Sequence, residues 1–193
     1  ENVETRNYNG DGISWQVCHD VTVINCLSVN NADLGLHPGS GSLRPIIRQN
    51  HLEGNRIGLF FCWGVKHGIA ENNRICNNRQ FGISIGHRDT DNIIRKNRIE
   101  KSGEVGVIFR NEPNEGRCPH HNLLENNQII NSGEIGIDIQ GETRSIMLLR
   151  NQIIETRKPA QHIGLQIGEK VTELTLEKNT FPGLEIETND LRS

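Results

Sequence analysis

A glycine followed by an aliphatic residue recurs along this chain at a nearly fixed interval: Gly12-Ile13, Gly35-Leu36, Gly58-Leu59, Gly82-Ile83, Gly106-Val107, Gly136-Ile137 and Gly164-Leu165. The spacings are 23, 23, 24, 24, 30 and 28 residues. An asparagine follows each glycine, two residues ahead of an apolar one, at Asn25, Asn50, Asn73, Asn97, Asn127, Asn151 and Asn179. In five of the seven repeats it stands 15 residues after the glycine. A period of about 20–50 residues marks a chain built from stacked units, each unable to bury its apolar face alone.

Inside each unit the first and third positions after the glycine are apolar, as in Leu36/Pro38, Ile83/Ile85 and Ile137/Ile139. The position between them is polar in Ser14, His37, Ser84, Asp138 and Gln166, with Phe60 and Ile108 as exceptions. Alternation of period two is a strand with one buried face. A second short strand precedes the asparagine (Ile46-Ile47, Ile93-Ile94, Leu123-Leu124), and a third is centred on the apolar residue after it. No helical period interrupts this, and the convex segment of a leucine-rich repeat is missing. The fold expected is all-β: a single-stranded parallel β-helix of about seven coils. They begin near residues 12, 35, 58, 82, 106, 136 and 164 and form one domain over 1–193. Strands of successive coils then lie ~4.8 Å apart around one apolar column. The asparagines are expected to take left-handed corners and to ladder through their amides. A second polar column is read at Asn30, Asn55, Asn78, Ser102, Ser132 and Thr156.

Composition limits the partners. With 21 basic against 24 acidic residues there is no electrostatic case for nucleic acid or an anionic membrane. No stretch approaches the ~20 apolar residues of a membrane-spanning helix. The five cysteines, Cys18, Cys26, Cys62, Cys76 and Cys118, form no CxxC pair, and an odd number argues against a disulfide framework. Residues 1–10 are polar and short for a cap, so the sequence predicts a longer protein or a partner at the first coil. The tail around Leu184 and Ile186 is expected to close the other end.

Over roughly residues 10–182 this pattern resembles the right-handed parallel β-helix superfamily that includes pectate lyases, polygalacturonases and mannuronan C5-epimerases. Leu34-Gly35-Leu36-His37-Pro38, with Arg88-Asp89 two coils later, is similar to the epimerase region around an Asp-Pro-His motif. Here the histidine precedes the proline and no aspartate stands before it. Asn9-Gly10-Asp11-Gly12-Ile13 and Gly82-Ile83-Ser84-Ile85-Gly86-His87 resemble polygalacturonase segments, without that family's adjacent aspartate pair. The resemblance implies a polysaccharide or oligosaccharide partner and an extracytoplasmic location.

The residues that the repeat does not require sit just after the Gly-apolar strand, on successive coils. His37, His87, Arg88, Asp89, Arg110, Glu112 and Asp138 are the candidate catalytic groups; Trp63, Lys66, His67 and Gln140 are the candidate substrate-binding ones. From coil two to coil six they span about four rungs, ~19 Å, the length of a groove for an extended polymer. Elimination or epimerisation at a uronate needs a base for the proton α to the carboxylate and a cation against that carboxylate. His37 or His87 with Arg88 or Arg110 supplies both. Hydrolysis needs two carboxylates, for which Asp89, Glu112 and Asp138 are the candidates. A non-catalytic binding or structural module is the reading from another class, told apart by whether these side chains converge. The same edge carries an insertion near residues 114–121, whose Cys118, His120 and His121 lack a fourth ligand at a metal-binding spacing. No metal site and no cofactor are assigned, and a calcium requirement is left open.

Overall fold

The computed structural model describes residues 1–157 and 163–192. Three parallel sheets wrap a single column. The first holds Glu4–Arg6, Leu27–Val29, His51–Glu53, Arg74–Cys76, Arg98–Glu100, Gln128–Ile130 and Gln152–Ile154. The second holds Ile13–Gln16, Leu34–Gly39, Ile57–Phe60, Phe81–Ile85, Val105–Phe109, Ile135–Ile139, Ile163–Ile167 and Ile186–Asp190. The third holds Thr22–Ile24, Ile46–Arg48, Ile69–Glu71, Ile93–Arg95, Leu123–Glu125, Met147–Leu149 and Thr175–Glu177. Every pairing joins a strand to its equivalent one coil away. The chain is a right-handed parallel β-helix, and its only helical segment among the described residues is the 3-10 turn Glu115–Arg117.

The alternation read from the sequence places the column. Leu36, Leu59, Phe61, Ile83, Ile85, Val107, Phe109, Ile137, Ile139 and Leu165 are fully buried, as are Ile47, Leu52, Ile75, Ile94 and Ile99 from the other two sheets. Gly58 and its equivalents lie where a Cβ would meet both the next coil and the ladder; at Gly58 it would fall 2.4 Å from Ile75 Cγ2. That close approach explains why glycine opens each repeat.

The asparagine ladder is present, with corrections. Asn50, Asn73, Asn97, Asn127, Asn151 and Asn179 form it, each Nδ2 donating to the next Oδ1 at 2.9–3.0 Å. Each Nδ2 also donates to a carbonyl one coil back, as from Asn97 to Ala70 at 2.9 Å. Asn25 is not a member: Cys26 takes that place, its N–H donating to Asn50 Oδ1 at 2.9 Å. The arc from Gly12 to Thr22 is one residue shorter than that from Gly35 to Ile46, which shifts the first coil's register. The second column likewise begins at Asn31 rather than Asn30, runs through Asn55 to Asn78, and gives way to Ser102 and Ser132; Thr156 is exposed. The ladder asparagines also do not take the left-handed corner. The preceding residues do: Gln49, Asn72, Lys96, Asn126, Arg150 and Lys178, at φ between 53 and 56°. Stacking above and below over-determines that conformation, so the corner accepts lysine and arginine. A third ladder, Asn92 to Asn122 at 3.2 Å, holds the remaining corner.

Ladder removal has a direct cost. Asn97→Ala orphans the buried Asn73 N–H and Ala70 carbonyl, at about 1–3 kcal/mol each. A urea denaturation series is expected to show a loss of about 2–6 kcal/mol with unchanged slope.

In the tail, Leu184 packs against the end of the apolar column. Ile186–Asp190 pairs in parallel with Ile163–Ile167 and forms an eighth rung on the second sheet, one more than the seven coils counted from the glycines. All five cysteines are free.

Candidate functional site

The outward column of the second sheet reads Ser14, His37, Phe60, Ser84, Ile108, Asp138, Gln166 and Asn189, one residue per coil. On His37, Nδ1 lies 2.8 Å from Asp11 Oδ2, and Asp11 Oδ1 also accepts the Leu34 N–H. Against a carboxylate that nitrogen donates, leaving the Nε2 lone pair as the accepting end. The His37 ring meets Phe60 edge-on, with centroids 5.4 Å apart.

Arg110 belongs to the fifth coil but does not stay there. Its guanidinium lies back across Gly86 and reaches the Phe60 ring, Cζ to centroid 4.5 Å. A Cβ on Gly86 would stand 2.1 Å from Nη2, so only glycine admits this path. Nη1 donates to Ser84 Oγ at 2.7 Å and Nη2 to the Phe61 carbonyl at 3.1 Å. Glu112 and Asp89 lie 3.5 and 3.8 Å away. The side chain keeps 20% of its surface exposed. A carboxylate-oriented imidazole and a guanidinium thus flank one aromatic ring, although their strands are three rungs apart.

The remaining candidates are distributed around this centre. Trp63 is 60% exposed and stacks on His87 with centroids 4.8 Å apart and 19° between planes. His87 is covered by that ring; its backbone N–H donates to Glu112 Oε1 at 2.9 Å, Nδ1 lies 3.5 Å from Glu112 Oε2, and Nε2 lies 3.3 Å from Arg88. Arg88 is exposed at a left-handed corner, as is His67, and Lys66 pairs through its backbone with Leu43 and Thr90. Asp138 lies two rungs beyond Ser84, accepting from Gln140 at 2.6 Å and Gln166 at 3.3 Å, and burial raises its pKa. Beside Glu112 opens a cleft of about 470 Å³ between Asn111, Glu142, Glu169 and Lys170.

Asp89 faces inward. It is fully buried and accepts the backbone N–H groups of Gly64, Val65 and Gly86 at 2.9–3.0 Å, tying two turns together. Burial pushes its pKa up to about 7, against the pull of those donors and Arg110. A carboxyl that holds its proton more tightly when folded makes stability fall as pH rises from about 4 to about 7. Thermal melts across that window are expected to show the decline, and Asp89→Asn should flatten it. Cys62, in the third coil's turn that Asp89 braces, is pushed by burial to about 11, so it carries no thiolate at neutral pH.

Asp11, Phe60, Ser84 and Gly86 were not among the candidate catalytic or substrate-binding residues read from the sequence. Asp11 had a signal: the position before each glycine reads Asp11, Leu34, Ile57, Phe81, Val105, Ile135 and Ile163, and only the first is polar. The insertion folds back onto the turn of the fourth coil, with Arg117 O accepting from Arg88 N at 2.7 Å. His120 uses both ring nitrogens, on Glu115 O and Arg144 N, and so is no ligand.

Residues 2–183 match the family described as "Periplasmic copper-binding protein (NosD)". The chain belongs to the NosD family. No curated protein of similar sequence was found. Among solved structures it is similar to the periplasmic alginate epimerase AlgG (15% identity, TM-score 0.70, 92% of this chain and 50% of that one). It is also similar to the Dettilon tailspike protein gp208 (15%, 0.71, 93% and 37%) and to the A-module of the Azotobacter vinelandii mannuronan C-5 epimerase AlgE4 (14%, 0.63, 91% and 64%). At these identities the likeness establishes the fold, and the chain spans about half of AlgG or less than two thirds of the AlgE4 module. The NosD description names copper. On the second sheet both nitrogens of His87 have neighbours and Nδ1 of His37 is taken by Asp11, and no set of three convergent metal donors is found there among the described residues. The group of donors that does converge, His51, Glu53 and Cys76, lies on the first sheet.

Proposed function

We propose that the outer face of the second sheet binds an anionic polysaccharide and acts on a uronate as a lyase or epimerase. His37 Nε2 takes the proton α to the carboxylate, Asp11 holds the imidazole in the accepting tautomer, and Arg110 faces the substrate carboxylate. The observation that carries the reading is the return of Arg110 across Gly86 to the Phe60 ring, beside the His37–Asp11 pair. Phe60 and the exposed Trp63 offer apolar faces on which sugar rings pack. The AlgG and AlgE4 likenesses agree with a uronate substrate, and the NosD description agrees with an extracytoplasmic location. Hydrolysis is less well supported, because Asp89 is sealed inside its turn and Asp138 lies two rungs from Ser84.

The test is incubation with alginate and polygalacturonate in D2O, followed by ultraviolet absorbance and proton NMR. Unsaturated ends identify elimination, and deuterium at C5 without chain cleavage identifies epimerisation. Neither signal, together with a melting temperature raised by uronate oligomers, would establish a binding module instead.

A further inference from the structure

The outward face of the first sheet carries a group unrelated to the polysaccharide reading. His51 and Glu53 stand two residues apart on one strand and therefore point the same way, and Cys76 is the register partner of Glu53 on the next rung. The ligand atoms of all three lie within 4.8 Å of one another. His51 Nε2 is 2.6 Å from Glu53 Oε2 and 3.8 Å from Cys76 Sγ. A tetrahedral zinc with bonds of ~2.0–2.3 Å has ligand-to-ligand edges of about 3.3–3.8 Å, so small side-chain rotations suffice to seat one.

Two further observations point to a ligand. Cys76 is 98% buried as a residue, yet its thiol is directed at the imidazole. Asn77 Nδ2 donates to Glu53 Oε1 at 3.0 Å, which leaves Oε2 turned toward His51, as the supporting partner of a metal-bound carboxylate does. His51 and Glu53 keep about a third of their side-chain surface exposed, enough for entry and for a water in the fourth position.

We infer that His51, Glu53 and Cys76 form a three-residue site for zinc(II), open to solvent at its fourth position. Imidazole nitrogen, carboxylate oxygen and thiolate sulfur together suit a borderline ion. Copper(I) favours the sulfur and nitrogen but has little use for a hard carboxylate. On binding, the thiol proton of Cys76 leaves to solvent as the S–Zn bond forms.

The experiment is zinc titration of chelator-treated protein, read by elemental analysis after gel filtration, and repeated with cobalt(II) to read sulfur-to-cobalt charge transfer. One ion per chain and a thiolate band are expected in the wild type and in Cys18→Ser. Both should vanish in Cys76→Ser and in His51→Gln, and zinc affinity should fall at least tenfold in Glu53→Gln. Circular dichroism identifies variants that remain folded, and Glu53→Gln, at a partly exposed carboxylate, serves if Cys76→Ser does not. No stoichiometric zinc, zinc retained in both ligand variants, cobalt bound without a thiolate band, or copper(I) binding indifferent to Glu53→Gln would each overturn the assignment.

Discussion

Aspartate in place of Ile85 unfolds this protein. Ile85 is fully buried in the column, between the inward residues Phe61 and Phe109 of the adjoining coils. A carboxylate there has no hydrogen-bond donor and no counter-ion within the apolar interior. Either it stays charged or it takes up a proton against its ordinary pKa, and both routes cost several kcal/mol. Lost packing of the isoleucine adds about 2–5 kcal/mol. The total is comparable with the whole stability of a typical domain, about 5–15 kcal/mol. Loss of the β-sheet circular dichroism signal at neutral pH is the expected result. Ser84→Asp, one residue away on the outward face and buried beneath the Arg110 guanidinium that would neutralise it, is expected to remain folded. A folded Ile85→Asp protein would mean that the two faces of the second sheet are reversed.

The largest expected effect on activity is at His37. Removing a general base lowers turnover by about 10²–10⁴-fold, so His37→Ala should lose that much activity on its uronate polymer while its melting temperature changes little. Asp11→Asn keeps the shape but lets the ring take either tautomer, and a smaller loss with a shifted pH profile is expected. Arg110→Lys retains the charge but not the planar fork that reaches Ser84 Oγ and the Phe61 carbonyl together. Its KM for polymer should rise more than kcat falls. Equal activity in His37→Ala and wild type would remove the proposed mechanism and leave a binding module.

The fold was legible because a solenoid writes its architecture as periodicity. The glycine spacing and period-two alternation placed every inward residue of the second sheet from Leu36 to Ile167. The first coil was misplaced by one residue because its arc is shorter, and Asn25-Leu27 happened to copy the asparagine pattern. The candidate site was legible as a face and not as a set of contacts. Register put His37 and Arg110 three rungs apart, and sequence carries no sign that a side chain will run backward over a glycine. Gly86 is the mark of that path, but among 20 glycines it looked like any other turn residue. Nor does sequence show which way Asp89 turns: its neighbour Arg88 is exposed, while three backbone amides draw the carboxylate inward. Trp63 and His87 come from adjoining coils, and the structure lays the indole over the imidazole.

Most of this molecule is modular, since each coil bonds only to the one above and the one below. An architecture of that kind tolerates whole turns gained or lost in evolution, provided the spacing from glycine to asparagine is kept. Arg110 is an exception. By gripping Ser84 and the Phe61 carbonyl it staples three consecutive turns together, so a coil spliced between residues 37 and 110 would part the guanidinium from the imidazole. Relatives of different length should therefore vary outside that stretch, and the ones that vary inside it should have changed chemistry.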